Sequence, residues 1–453
     1  MKVVSGMREK RDKDLAQIKK GLQEANLTEA EVIVRGAVHS IRDMGEFLFL
    51  VLRRYDGILQ CVAEKTGENT LPELREGMTV EVSGRVRQEE RAPGGIELAA
   101  EGIRLLSQPE PDSAMPLPIG KRKLSASLEK RLSLRPVELR NLEERAVFRI
   151  QEGLVRGFRE FLHQQHFTEI RTPKLVAGNA EGGNDSGGAN VFRLEYFGKR
   201  AFLAQSPQFY KQMLVGVYDR VFEVAPVFRA EKHNTIRHLN EYTSMDLELG
   251  YLDCFEELME LEQAMLAFTM DLLRKEYARE LSLLQVKLPD VSRIPAVRFE
   301  EAKRLVSERY GRPMKAPYDL EPEEEHLIGR YIKEEYGSDL VFVTHYPSKK
   351  RPFYTMDDPE DSRLTLSFDL LFGGMEITTG GQRIHDYRQQ VEKLIARGMN
   401  PEEFADYLMA HQNGLPPHGG LGIGLERLTM KLLRRENVRE TTMFPRDVTR
   451  LRP

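Results

Sequence analysis

Apolar positions change their period along the chain, and each change marks a different piece of structure. Leu15, Ile18 and Leu22 recur at helical spacing in the charged segment 8–25, which predicts a short amphipathic helix. Such a helix either packs on its own domain or reaches toward RNA. Between Glu31 and Leu106 the period drops toward two. The runs EVIVRGAV, FLFLVL, GILQCVA, TVEVSGRVR and GIELAAEGIRLL read as five short strands, separated by turn clusters such as Tyr55-Asp56-Gly57 and Pro93-Gly94-Gly95. From residue 142 onward helical and strand periods mix. A helix over about 143–164 precedes TEIRTPKL and the Gly/Asn-rich AGNAEGGNDSGGAN. Strand pairs, helices near 252–280 and 320–336, and a last helix after GGLGIG follow.

Five strands in so short a span predict an N-terminal OB-fold barrel, a shape that binds oligonucleotides on one face. Strands grouped around their own hairpins, without βαβ alternation, predict an antiparallel β-sheet flanked by helices and argue against a Rossmann domain. The fold class is therefore α+β. SQPEPDSAMPLPIG, with four prolines in 14 residues, reads as a linker. The expected organisation is a helix and barrel over 1–106, a hinge over 107–141, and a large domain over 142–453 with a small insertion at about 275–345.

Composition narrows the class. The chain has 453 residues, 67 Lys+Arg against 71 Asp+Glu, and a net charge of -4, which excludes a uniformly basic nucleic-acid coat but not a local phosphate-binding patch. The strongest basic run is Lys121, Arg122, Lys123, Lys130, Arg131, Arg135 and Arg140, opposed only by Glu129 and Glu138. It reads either as a solvated linker helix or as a phosphate contact. Cys61 and Cys254 are too few for a disulfide framework or a Cys-rich zinc site. Without an 18-residue apolar run or a secretory h-region, no membrane partner is expected and the location is read as cytoplasmic.

Three segments carry candidate chemistry. In LSFDLLFGGMEITTGGQRIH, a Gly373-Gly374 turn pairs Phe372 with Met375 and Leu371 with Glu376. Asp369 and Glu376 then become diagonal neighbours on one face, a pair that needs a basic partner or Mg²⁺ between them. In FEVAPVFRAEKHNTIRHLNEYTSMDLELGY, the alternation sets Thr243, Met245, Leu247 and Leu249 against Tyr242, Ser244, Asp246 and Glu248. Arg229, Lys232, Arg237 and His238 crowd the preceding turn, as either an anion grip or ordinary surface charge. In HGGLGIGLERLTMKLL, glycines at 420, 422 and 424 clear one strand face, for a flat ligand or for tight packing. Arg427 in the first turn of the next helix opposes the helix dipole, which points to an anion beside it.

Together these segments resemble the three signature motifs of class II aminoacyl-tRNA synthetases: TEIRTPKL with Pro173 the first, VFRAEKHNTIRHLNEY the second, GGLGIGLERL the third. QSPQFYKQ, HLNEYTSMDLEL, ITTGGQRIH and FPRDVTRLRP are more closely similar to the aspartyl branch. The short interval from Asp246 to Asp369 matches its compact archaeal type. The resemblance implies an ATP-dependent ligase that forms aspartyl-adenylate, uses Mg²⁺ and no zinc, and charges tRNA-Asp as a homodimer. It implies that Arg229 holds the ATP α-phosphate, Glu231 the adenine, His238 the phosphates and Arg427 the γ-phosphate. Asp369, Glu376 and Thr379 fall where the branch has its Mg²⁺ ligands, Thr379 standing where serine is usual. Ser206, Gln208, Lys211, Asp246 and Arg383 match the aspartate pocket, with Glu181 reaching the substrate amino group from a loop longer than the family's usual one. Arg42, Phe49 and Gln60 align with anticodon contacts, Phe49 stacking a base unless it belongs to the barrel core. His39 and Pro93 resemble the members that charge both tRNA-Asp and tRNA-Asn, which implies a functional link to an amidotransferase. An asparaginyl enzyme is disfavoured by Lys211, an asparagine-forming relative by the barrel, and a non-catalytic tRNA-binding protein by the retained Arg229, Asp369, Glu376 and Arg427.

Overall fold

The computed structural model describes residues 12–24, 29–65, 72–110, 115–177, 191–232, 235–313 and 315–452. The chain divides into two compact units, Met1–Leu142 and Glu143–Pro453. The segment read as a hinge thus groups with the barrel.

In the first unit β1 (Glu29–Asp43), β2 (Phe47–Arg53), β3 (Ile58–Glu64), β4 (Thr79–Gln88) and β5 (Ile96–Ser107) close into a barrel in the order β1-β2-β3-β5-β4. Alternation sends Leu48, Leu50 and Leu52 inward and leaves Phe49 and Val51 on the outer face. The helix Leu15–Glu24 buries Ile18 and Leu22 in the barrel's own core. Each buried side chain contributes about 1.5–3 kcal/mol, so this helix belongs to the domain it precedes. The basic run separates into two kinds of residue. Lys121, Arg122, Lys123 and Lys130 are exposed, whereas Arg135 is fully buried and pairs with buried Glu138 at 2.7 Å, Arg131 joining at 3.2 Å. Arg135 is therefore a packing residue and not a phosphate contact.

The second unit adds β6 (Thr168–Glu169), β7 (Leu175–Val176), β8 (Arg193–Tyr196), β9 (Lys199–Leu203), β10 (Arg220–Phe228), β11 (Glu241–Gly250), β12 (Ala296–Arg298), β13 (Leu340–Thr344), β14 (Ser367–Phe372), β15 (Glu376–Arg383) and β16 (His418–Gly424). Eight of them form one sheet in the order β12-β13-β14-β15-β16-β11-β10-β6, and β7-β9-β8 form a small second sheet. The six central strands are antiparallel as expected, but each edge pair, β12 with β13 and β10 with β6, is parallel. One face is apolar: Phe222 and Val224 lie opposite Leu247 and Met245. Helices Leu142–Gln164 and Glu256–Glu276 cover that face, with Phe158 edge-on to Phe222 and Glu262 bonded to Thr378. Their close approach depends on Gly157, where a Cβ would meet Thr269 at 2.6 Å. The stretch of about 275–345, read from the sequence as an insertion, contains β12 and β13 and packs helices Phe299–Tyr310 and Pro322–Tyr336 around Val297, Ile328 and Val343.

Candidate active site

The other face of the sheet carries the chemistry, and strand register determines which residues meet there. Glu223 on β10 lies opposite Asp246 on β11, Asp246 opposite Gly422 on β16, Gly422 opposite Thr379 on β15, and Thr379 opposite Asp369 on β14. A neighbouring row runs Glu248, Gly420, Gly381, Ser367, and a third runs Gly250, His418, Arg383. Directly opposed residues share a face, so residues far apart in sequence form adjacent rows.

Lys211, one turn into helix Gln208–Tyr218, points down into these rows. Its Nζ donates to Asp246 Oδ1 at 2.9 Å and to the Leu421 carbonyl at 3.0 Å, and lies 3.3 Å from Glu248 Oε2. Arg383 donates from Nε to Glu248 Oε1 at 3.0 Å and from Nη2 to the Gly420 carbonyl at 2.9 Å. Glu248 thus joins the two cations from beneath. Burial alone would raise its pKa, but Arg383 and Lys211 outweigh that and hold the carboxyl below its usual range. Ser206 accepts from the Gln208 backbone N–H at 3.4 Å, and Gln208 is buried beside Lys211 on the same helix. The sequence pattern located Lys211, Asp246 and Arg383, while Glu248 appears in it only as one more acid in the β11 alternation. Asp246 and Glu248 are both buried and do not border an open cleft. Two of the β16 glycines, Gly420 and Gly422, clear the face for these carboxylates, whereas Gly424 leaves open space beside Arg427. A Cβ at Gly420 would meet Glu248 Oε2 at 2.1 Å, and one at Gly422 would meet Asp246 Oδ1 at 3.0 Å.

The Gly373-Gly374 turn forms as its sequence predicts, both glycines at positive φ and Phe372 bonded to Met375 in both directions. Beyond Leu371, however, β15 carries a bulge. Leu371 opposes Glu376, but Leu370 opposes Thr378 and Asp369 opposes Thr379. The regular register expected from the turn would set Thr378 against Asp369 and turn Thr379 to the helices. The extra residue brings Asp369, Glu376 and Thr379 onto one face. Their basic partners are Arg351, whose Nη2 lies 2.8 Å from Asp369 Oδ1, and Arg427, whose Nη1 lies 3.5 Å from Glu376 Oε1. Burial pushes Asp369 up to about 6, Arg351 opposing and Glu376 adding to the shift. Burial acts on Glu376 too, but Arg427, Arg351 and Arg229 hold it below its usual range. The anion beside the Arg427 helix turn is thus Glu376. Arg351 had no periodic signal, because it lies in an irregular segment.

The strand-connecting turn brings cations to the same edge. Arg229 lies 3.9 Å from Glu231 and over the Tyr242 ring at 5.8 Å, and His238 Nε2 lies 3.8 Å from Glu231. Arg237 pairs with Glu325 at 2.5 Å, and its carbonyl accepts from Arg427 at 3.4 Å. Glu181 and most of the Gly/Asn-rich loop lie outside the described residues. Among those described, no group of three or more His, Cys, Asp and Glu converges on a metal-sized site. No helix among them is long and apolar enough to cross a membrane.

In the barrel, Arg42 opposes Phe49 across β1 and β2, and Gln60 lies on β3 beside Val51. Phe49 is half-buried on the outer face, so it is not a core residue. Gln60 donates to Glu97 at 2.6 Å, and Glu97 also pairs with Arg87 at 2.9 Å, a partner the sequence did not single out. His39 is buried at a β1 bulge, and Pro93 opens the turn Pro93–Gly95.

His418 ends the third row without any substrate role assigned to it. It is fully buried, with Nδ1 hydrogen-bonded to the Pro416 carbonyl at 2.8 Å. Burial lowers its pKa from 6.5 to about 4. The unfolded chain therefore binds a proton that the folded chain refuses. Stability from this group is complete above pH 6.5 and is lost as pH falls toward 4. The stability gap between the native protein and His418→Gln is expected to shrink by about 2 kcal/mol between pH 7.5 and 5. Denaturant midpoints at the two pH values check this, and an unchanged gap would remove His418 from the acid limb.

Comparison with known proteins agrees with this fold. Residues 127–448 match the family described as tRNA synthetases class II (D, K and N), and residues 32–106 match the OB-fold nucleic acid binding domain. The aspartate–tRNA(Asp/Asn) ligase of Thermus thermophilus is 48% identical over 425 residues, covering 93% of this chain and 97% of that one. The enzyme of the same name from Deinococcus radiodurans is 46% identical over 428 residues, covering 93% and 95%. The crystal structure of asparaginyl-tRNA synthetase from Pyrococcus horikoshii, complexed with asparaginyl-adenylate, superposes with a TM-score of 0.85 at 30% identity, covering 94% and 97%. By sequence over most of its length, the chain belongs to the class II tRNA synthetases (D, K and N).

Proposed function

We propose that the chain activates L-aspartate with ATP and transfers the aspartyl group to the 3′ end of tRNA-Asp and also of tRNA-Asn. The observation that carries this reading is the pair Lys211 and Arg383, two buried cations joined by Glu248 on one face of the sheet. A substrate side-chain carboxylate completes such a pair, whereas an amide turns N–H groups toward it and leaves charge unpaired. Sites of that polarity reject the wrong partner by on the order of 10⁴-fold. The names of the Thermus and Deinococcus relatives support aspartate and both tRNAs.

Activation needs no acid–base group. The aspartate α-carboxylate oxygen forms a bond to the ATP α-phosphorus, and the bond from that phosphorus to the β-phosphate oxygen breaks, releasing pyrophosphate. Arg229 stabilises charge at the α-phosphate, Glu231 binds adenine, and His238 and Arg427 hold the outer phosphates, so catalysis is positioning and charge neutralisation. Class II synthetases in general work with ATP and Mg²⁺. Asp369, Glu376 and Thr379 suit that ion as hard oxygen donors on one face, with Arg351 holding Asp369 Oδ1 at 2.8 Å. Bound there, Mg²⁺ would neutralise phosphate charge. Ser206, Gln208 and Glu181 orient the amino acid. The tRNA 3′-hydroxyl oxygen then forms an ester bond to the aspartyl carbonyl carbon, the bond from that carbon to the phosphate oxygen breaks, and AMP leaves, its phosphate taking the hydroxyl proton.

Phe49 stacks an anticodon base while Arg42 and Gln60 bond base edges. His39 is buried at the β1 bulge, so it acts on tRNA choice through the strand shape there, with Pro93 shaping the turn Pro93–Gly95. Charging tRNA-Asn with aspartate requires an amidotransferase to finish the product. The active form is a homodimer joined at the edge of the sheet that carries β6 and Pro173, and it works in the cytoplasm.

The test is pyrophosphate exchange followed by charging of purified tRNAs. Exchange should depend on aspartate and be negligible with asparagine, and aspartate should be attached to both tRNA-Asp and tRNA-Asn. Equal exchange with asparagine would overturn the reading of Lys211. Charging confined to tRNA-Asp would overturn the dual specificity alone.

A further inference from the structure

Glu376 and Thr379 are three residues apart, and on a regular strand residues at an odd spacing face opposite ways. They share a face only because β15 is bulged between them, which leaves the question of what holds the bulge. On the far side of the sheet, Thr378 carries a hydroxyl into the apolar layer, where its Cα neighbours are Leu370 and Ile423. A hydroxyl there needs a partner. Glu262 of helix Glu256–Glu276 supplies it: Thr378 Oγ1 donates to Glu262 Oε1 at 2.6 Å. Glu262 is fully buried, and its second oxygen has no hydrogen-bond partner. Burial pushes this carboxyl up to about 8, Thr378 offsetting part of the shift and Asp369 adding to it. A neutral acid is therefore compatible with the site, and a glutamine can imitate it.

We infer that Glu262 is a positioning residue: by holding Thr378 to the helix layer it fixes the β15 bulge, and the bulge keeps Glu376 and Thr379 on the face of Asp369, where Mg·ATP binds. This rests on the reading of Asp369, Glu376 and Thr379 as ion ligands. Glu262 touches neither substrate nor ion and acts through one hydroxyl. Without that bond the regular register competes. It costs no unpaired residue and would turn Thr379 toward the helices. The aspartate pocket would be largely spared, because Lys211, Asp246 and Glu248 lie on other elements and Arg383, at the far end of β15, is held in place by Glu248 and the Gly420 carbonyl.

Calorimetry on the full-length protein tests this at equilibrium, by measuring ATP affinity with Mg²⁺ and with EDTA, and aspartate affinity separately. In the native protein Mg²⁺ should tighten ATP binding. Thr378→Val, which keeps shape and removes only the hydroxyl, should reduce that tightening about tenfold, and Glu262→Ala should do the same. Aspartate affinity should stay within about twofold in both. Glu262→Gln should restore the Mg²⁺ effect. Retention of the full effect in Thr378→Val overturns the inference, as does an equal loss of aspartate binding, which would mark a merely structural role. If the native protein itself shows no Mg²⁺ effect on ATP, the ion-ligand reading fails first, and the inference falls with it.

Discussion

Replacing Lys211 with alanine is expected to lower kcat/KM for aspartate in pyrophosphate exchange by about 10²- to 10³-fold, with ATP affinity little changed. Lys211 is 2% exposed and balances two buried carboxylates, Asp246 and Glu248. Removing one partner of a buried ion pair leaves the other charge uncompensated, at about 3–5 kcal/mol. Part of that cost falls on the folded protein, and part on the complex, where the substrate carboxylate would meet Asp246 and Glu248 without the intervening cation. Steady-state exchange with aspartate and with asparagine separates the two. A cavity defect lowers aspartate exchange and ATP binding together through stability, whereas loss of the charge partner lowers aspartate exchange toward the asparagine level and leaves ATP binding intact. Asparagine should not become a good substrate, because Glu248 still holds Arg383 toward the position of the amide. An aspartate KM unchanged in Lys211→Ala would take this residue out of the pocket.

How much of this was legible beforehand depended on whether a feature was local. The barrel strands, the Gly373-Gly374 turn and the helices Leu142–Gln164 and Leu425–Leu432 follow from period and turn chemistry within a few residues, and they form where expected. So does the two-faced β11, with Met245 and Leu247 on one side and Asp246 and Glu248 on the other. What escaped is set between strands. The Thr379–Asp369 opposition needs the β15 bulge, which exists because of Thr378 and a helix more than a hundred residues earlier. The parity of Glu376 and Thr379 was the only hint of it. Arg351 reaches Asp369 from irregular backbone, where no period exists to read. Arg135 and Glu138 looked like part of a basic surface because burial of an ion pair has no sequence signature. The parallel edges of the sheet are likewise a matter of topology, not of residue pattern.

The β16 glycines give the second large effect, because three residues that look alike in sequence differ in what they face. Gly420→Ala is expected to destabilise the second unit severely. The new methyl would lie 2.1 Å from Glu248 Oε2 and 2.2 Å from the Leu247 carbonyl oxygen. A flexible tip can retreat, but backbone paired on both sides by β11 and β15 cannot. A loss of about 3 kcal/mol or more follows, roughly a 5 °C or greater fall in Tm for a unit of this size. The displaced Glu248 would also release Lys211 and Arg383 from their common anchor, so whatever folds should bind aspartate more weakly than ATP suffers. Gly424→Ala, four residues on, meets nothing nearer than Arg427 Cβ at 3.9 Å and should cost about 0.5–1 kcal/mol at this helix N-cap, where alanine is the poorer residue. Thermal unfolding of the two variants side by side decides the matter. If they melt alike, the glycines serve the strand's flexibility and not the room that Glu248 occupies.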